Sequence, residues 1–198
     1  MASSWSYVIL KRQTSQLINS SRSLPPATSR HDVFISHRGV DTRNTVAGLL
    51  YDRFLHLGMR PFLVRRSMVE EEEEEKLKKS IKAAVADCKV SVAVFSPKYC
   101  ESYPCLRELA MMVEAKKRLI PIFCDFKPSA LRLSEEQRKV YSQEEVERFE
   151  RALQEVRLTV GIPFDSNSGN YSELVSRTAE IVAKNIRRAR AGPSSNFC

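Results

Sequence analysis

Short apolar runs alternate with amphipathic segments from residue 31 onward, and this alternation most narrows the folds open to the chain. Residues 32–36, 60–64, 89–95 and 119–124 each read as a strand, and a stretch of helical character follows each. Strands separated by helices imply right-handed crossovers and a parallel sheet. The run Val-Ser-Val-Ala-Val-Phe at 90–95 suits a central strand covered on both faces. Ser96-Pro97 stops it. Helices are predicted over 43–57, 73–87, 104–116 and 171–190, with charged helical character over 134–157. On the first, Val46, Leu49, Leu50, Phe54 and Leu57 share one face, and Gly58 closes it. Residues 157–162 read as a short edge strand. The expected fold class is α/β: a flavodoxin-like, doubly wound, five-stranded parallel sheet with helices on both faces.

A chain of 198 residues supports one well-buried domain, at 31–190, with an N-terminal extension at 1–30 and a flexible tail at 191–198. The extension carries eight serines, Lys11, Arg12, Arg22 and Arg30 and no acid, so half of the net charge of +8 sits there. It reads either as an organelle transit peptide or as a disordered extension. The other +4 is spread over 168 residues with no basic stripe interleaved with aromatics, which argues against a nucleic-acid binder. Lys184, Arg187, Arg188 and Arg190 crowd the end of the last helix, where they complement its dipole. No apolar run approaches the roughly 20 residues of a membrane helix, so no membrane partner is expected. Cys88, Cys100, Cys105, Cys124 and Cys198 are odd in number and include no metal-type pair, which fits reduced thiols and no metal site. The expected location is cytoplasmic, or a chloroplast or other organelle if residues 1–30 are a transit peptide.

Two motifs carry the chemistry. Residues 31–43 read His-Asp-Val-Phe-Ile-Ser-His-Arg-Gly-Val-Asp-Thr-Arg: a strand, a polar turn at Gly39, and a helix start with Asp41 or Thr42 as N-cap. In a parallel sheet this unit stands at the carboxyl edge, where ligands bind. Its backbone N–H groups suit a phosphate, and Arg38 and Arg43 add charge. The second motif follows the third strand, from Ser96 to Leu109. Helical spacing turns Leu106, Leu109 and Val113 toward the sheet, with Glu108 between them at the same edge. Taken alone, a Glu there reads as a surface group compensating the helix dipole.

Together these motifs resemble the plant Toll/interleukin-1 receptor (TIR) domain family, from His31 to about Arg188. The resemblance is carried by Asp32-Val-Phe-Ile-Ser, Arg38-Gly39, Asp41-Thr42-Arg43, Ser91-Val-Ala-Val-Phe-Ser96, Tyr99, Ser102 and Cys105-Leu106-Arg107-Glu108-Leu109. It continues through Ile120-Pro-Ile-Phe123, Lys127-Pro128-Ser129, Ala152-Leu153, Gly161 and Ser172-Glu173-Leu174-Val175. It implies cleavage of NAD+ or NADP+ at the nicotinamide–ribose bond, giving nicotinamide and ADP-ribose or cyclic ADP-ribose-type signals in plant immunity and cell death. It implies Glu108 as the catalytic carboxylate. His37, Arg38, Gly39, Val40, Asp41, Thr42 and Arg43 match the nucleotide-contacting loop. NAD+ is then the substrate, with no separate cofactor, and the partners are further copies or other TIR-domain proteins. With no nucleotide-binding or leucine-rich-repeat segment after Arg190, the expectation is a TIR-only protein.

Three positions depart from the family pattern. Pro104 stands where the family has an aromatic, with Tyr103 beside it as a candidate replacement. Val64 stands where the loop after strand 2 has an Asp, and Glu70 to Glu75 follow in place of a glycine-bearing loop. That acidic run reads as a solvated stretch or as a strip docking on a basic face of a neighbour. His37 replaces the usual Phe, and no nucleophile-and-base logic surrounds it. These departures motivate an alternative function, a non-catalytic adaptor or decoy acting through TIR–TIR contacts. A phospho-acceptor or flavin protein is disfavoured, because strand 3 ends in Ser96-Pro97 with no acid in place.

Overall fold

A computed structural model describes residues 30–64 and 71–191, apart from the side chains of 71–73. The expectations for residues 1–29, the loop at 65–70 and the tail from 192 lie outside the described residues. Five strands form one all-parallel sheet in the order β2-β1-β3-β4-β5: β1 (Val33–His37), β2 (Pro61–Leu63), β3 (Val90–Phe95), β4 (Arg118–Cys124) and β5 (Ile162–Phe164). That is the flavodoxin-like order expected from the alternation. The described helices are α1 (Gly39–Thr42), α2 (Val46–His56), α3 (Glu71–Asp87), α4 (Tyr103–Glu114), α5 (Glu135–Val140), α6 (Gln143–Arg157) and α7 (Tyr171–Ala191).

Side chains alternate across each strand, so the two faces of the sheet carry separate cores. Phe34, Ala93, Phe95 and Phe123 pack toward α3, α4 and α6. Val33, Ile35, Val92, Val94 and Ile122 pack toward α2 and α7. β1 and β3 are buried along their whole length, as central strands with both faces covered must be.

The helix predicted over 43–57 is a single helix that starts later than expected, behind a separate short one. α1 ends at Thr42, and α2 starts only at Val46. Neither Asp41 nor Thr42 is the N-cap. Arg38 occupies that position with no side-chain cap, and Thr42 Oγ1 instead donates to the Arg38 carbonyl at 3.3 Å. α2 buries Val46, Ala47, Leu50 and Phe54, whereas Leu49 and Leu57 stay on the surface. Leu57 follows the last helical residue as C-cap, and Gly58 at φ +70 makes the expected left-handed exit.

The stretch 134–157 is two helices. Ser134 with Gln137 and Ser142 with Glu145 form capping boxes that open α5 and α6. Because α6 runs through Arg157, the edge strand begins later than 157, at Ile162. Gly161 lets the chain enter it: a Cβ there would lie 2.4 Å from the Phe123 ring.

At the amino edge of the sheet, Asp32 is buried and gathers three cations. Its carboxylate accepts from Arg60 Nε at 3.1 Å, Lys89 Nζ at 2.6 Å and Arg190 Nη2 at 3.3 Å. It also accepts from the Arg60 backbone N–H at 3.2 Å. Burial alone raises the carboxyl's pKa, but the hydrogen bonds from Arg60 and Lys89 outweigh it and hold the group well below the usual carboxylate range. Arg190 therefore does more than compensate a dipole: it ties the end of α7 to the start of β1.

Candidate active site

The 2-1-3-4-5 order leaves a crevice outside the carboxyl ends of β1 and β3. Both motifs arrive there. β1 ends in Ser36-His37, and the first turn of α4 lies against it, with Cys105 Sγ donating to the His37 carbonyl at 3.5 Å. Pro104 in that first turn has its φ already set for a helix. One turn further, Glu108 sits between Leu106 and Leu109 and is only 1% exposed. It is a buried carboxylate, not a dipole-compensating surface group.

Three polar side chains meet inside this wall. Ser36 Oγ donates to Glu108 Oε2 at 2.8 Å. Tyr99 Oη lies 2.9 Å from Ser36 Oγ and 3.3 Å from the Cys105 carbonyl. Burial, joined by the nearby Cys105 and Glu108, pushes the Tyr99 phenol well above its ordinary value, so it stays a neutral donor. Glu108 also lines a cavity of about 90 Å³, together with Lys78 and Ile81 of α3 and Tyr103, Pro104 and Arg107 of α4. The cavity wall is thus part apolar and part cationic, and it carries a second carboxylate, Glu74 of α3, besides Glu108.

The residues of 37–43 form the neighbouring rim and not this cavity wall. Strand alternation turns His37 to the α2 face, away from Glu108. Its imidazole is 5% exposed, and neither ring nitrogen has a hydrogen-bond partner among the described residues. Burial, aided by the charge of Arg43 and opposed by Asp41, pushes its pKa down to about 4, so the ring is neutral at pH 7. Arg38 reaches Glu101 at 3.5 Å and Asp41 at 3.9 Å. Asp41 Oδ2 accepts from Ser96 Oγ at 2.6 Å, which ties α1 to the end of β3. Thr42 is buried, while Val40 is 90% exposed at the rim. The Arg43 guanidinium folds over Gly39, where a Cβ would come within 2.9 Å of Nη2.

Gly48 of α2 sets the position of Arg43. A Cβ on Gly48 would stand 2.5 Å from the Arg43 carbonyl oxygen, a backbone atom that cannot yield cheaply. Gly48→Ala is expected to displace the 43–45 break and to cost about 1–3 kcal/mol. Thermal unfolding, together with the backbone amide shifts of Gly39 and Arg43, checks this.

The departing positions are also placed. Val64 is buried in the core with Phe34 and Phe95, so an apolar side chain directly follows β2. Pro104 lines the cavity itself. Tyr103 lines it too, but its ring packs on Tyr141 and Phe149, its hydroxyl bonds Glu145, and the Arg107 guanidinium lies 5.8 Å from its centroid. Ser36, Tyr99 and Ser96 lie within the motifs, but motif reading gave them no role at the site. The period of two in β1 contains the signal for Ser36, because Phe34 faces α4 and Ser36 must follow it. Among the described residues, no group of three or more His, Cys, Asp or Glu side chains could hold a metal ion.

Known proteins agree with this architecture. The family model described as TIR domain matches residues 30–195. The chain is 49% identical over 162 residues to a protein of Brachypodium distachyon named as a probable 2′ cyclic ADP-D-ribose synthase, BdTIR, covering 81% of this chain and 71% of that one. It is 34% identical over 110 residues to the TMV resistance protein N of Nicotiana glutinosa, covering 54% of this chain but 9% of that much longer protein. Among solved structures, the TIR domains of the activated Roq1 resistosome, which directly recognises the pathogen effector XopQ, align with a TM-score of 0.61. Identity there is 26%, over 77% of this chain and 99% of that one. With a family match across most of its length, this chain belongs to the TIR domain family.

Proposed function

We propose that this chain is an NAD+ nucleosidase that releases nicotinamide and makes ADP-ribose or a cyclic ADP-ribose-type signal in immune signal transduction. The observation that carries the reading is Glu108, 1% exposed, held by the Ser36 hydroxyl near the carboxyl end of β1 and lining the cavity between α3 and α4. The activity in the name of the Brachypodium relative, at 49% identity, supports the same class of chemistry.

The reaction needs little else. The bond from the ribose C1′ to the pyridinium nitrogen breaks, and its electron pair neutralises the departing ring. The leaving group is therefore neutral and needs no acid to protonate it, unlike an ordinary sugar leaving group. The ribose passes through an oxocarbenium-like state, and a buried carboxylate stabilises that positive charge more strongly than one in water. Water attacks to give ADP-ribose, or a hydroxyl of the same dinucleotide attacks to close a ring. Either nucleophile sheds one proton. Glu108 also orients the sugar through its hydroxyls. We assign the pyrophosphate to Arg38 and Arg43 on the adjacent rim, where Asp41 and Glu101 hold Arg38 only at 3.9 and 3.5 Å.

Self-association, or pairing with other TIR domains, accompanies this reading, and the assembled TIR domains of the Roq1 resistosome support it. A second reading, a non-catalytic adaptor, is favoured by Pro104 in the cavity wall and by the buried, uncharged Val64. Purified protein incubated with NAD+ or NADP+ separates the two. Nicotinamide appearing with ADP-ribose or its cyclic form is expected. No turnover at high protein concentration or with a crowding agent overturns the enzyme reading and leaves the adaptor.

A further inference from the structure

We propose that Ser36 is a positioning residue for the Glu108 carboxylate, and that the buried chain Tyr99–Ser36–Glu108 keeps it hydrogen-bonded in either protonation state. The inference rests on the nucleosidase reading and deepens it. Counting protons sets the direction. Ser36 carries one hydroxyl proton and an ionised carboxylate carries none. Ser36 therefore donates to Glu108 Oε2 at 2.8 Å, and Tyr99 donates to Ser36 at 2.9 Å in preference to the Cys105 carbonyl at 3.3 Å. When Glu108 is protonated the chain reverses: Glu108 donates to Ser36, Ser36 to Tyr99, and Tyr99 to the Cys105 carbonyl. Neither arrangement leaves a buried hydroxyl proton without an acceptor. That matters where Ser36 and Tyr99 are 0% exposed and Glu108 is 1% exposed.

The anchors are rigid. Ser36 lies in register with Ala93 at the centre of the sheet, so its Oγ is set by the β-ladder. Tyr99 is wedged against Phe95 with ring centroids 4.5 Å apart. The carboxylate is thus fastened to the sheet and not merely to its own helix, the placement that keeps a reacting group within a fraction of an ångström of its working geometry. The same donor favours the ionised form, the form the oxocarbenium-like state needs.

Ser36→Ala in the full chain tests this. Tyr99 keeps the Cys105 carbonyl as acceptor in that variant, so the fold has no new orphan hydroxyl. Nicotinamide release is measured against NAD+ concentration and pH. The expected result is a fall in kcat of about 10- to 100-fold, KM nearly unchanged, and the acid limb of the pH–kcat profile moved to higher pH. Tyr99→Phe, which leaves the Ser36 donation in place, falls less and moves the limb the same way. A wild-type kcat with an unmoved acid limb, or a loss confined to KM, overturns the assignment.

If wild type releases no nicotinamide, the nucleosidase reading fails, and the positioning role is read directly. The Glu108 carboxyl carbon is titrated by NMR in wild type, Ser36→Ala and Tyr99→Phe. Its midpoint is expected to rise in Ser36→Ala, which loses the donor to the ionised form, and identical midpoints in all three overturn the inference.

Discussion

Glu108→Gln is expected to lower nicotinamide release at least about 10³-fold while leaving the thermal midpoint no lower than wild type. Gln keeps the shape of the side chain and an acceptor for the Ser36 hydroxyl, which now reaches Glu108 Oε2 at 2.8 Å. It removes only the charge that faces the developing cation. In a water-excluded wall such a charge contributes on the order of 4 kcal/mol to the barrier, which is about 10³ in rate. The folded state loses nothing comparable, because burying a carboxylate to 1% exposure is itself costly and an amide is easier to bury. Activity and stability therefore move independently, as they do where a site is held against its own folding preference. Single-turnover nicotinamide release beside a thermal melt checks both halves. Wild-type turnover in the variant would remove Glu108 from the mechanism, and a collapsed melting curve would make the rate loss a folding defect.

Asp32→Ala, at the opposite end of the same strand, is expected to destabilise the protein by about 3 kcal/mol, or roughly 6–12 °C in Tm, with kcat close to wild type. The variant removes charged hydrogen bonds to Arg60, Lys89 and Arg190 at once. The pH dependence carries the signature. The folded pKa of Asp32 is depressed, so its contribution is complete above the ordinary carboxylate value near 4 and is lost as pH falls below it. Asp32→Ala therefore flattens the stability curve below about pH 4.

His37 acts in a separate window. Its folded pKa is also lowered, to about 4 from an ordinary 6.5, so burying it neutral is harmless above 6.5 and progressively destabilising from 6.5 down to 4. Asp32→Ala leaves that upper slope intact, whereas His37→Phe removes it. Denaturant unfolding measured from pH 3 to pH 8 resolves the two slopes. One common slope that vanishes in either variant would contradict this division.

Much of the fold could be read from residue order because its signals are local. Apolar runs of five or six residues separated by helical periods dictate a parallel sheet, and the runs at 33–35 and 90–95 are indeed its central strands. What escaped were features set by partners distant in sequence. The break between α1 and α2 depends on Gly48 admitting the Arg43 carbonyl and on Ser96 capturing Asp41, 55 residues away. Asp41 and Thr42 look like caps by composition, but those partners redirect them.

At the site, Glu108 was legible as a position and its burial was not. A glutamate early in a helix is usually solvated, and the Ser36 hydroxyl arriving from β1 helps make the buried state tolerable. His37 was legible as a loop residue, yet strand alternation carries it to the far face. The Arg190 contact with Asp32 spans 158 residues, a pairing no local pattern encodes.

β1 is five residues long, with the ionic anchor just before it and the tether of the Glu108 carboxylate at its fourth residue. Roughly 13 Å of extended chain separates the two. A lesion at the carboxyl rim leaves the anchor intact, so a variant altered at the rim is expected to keep the fold and the surfaces that the sheet positions.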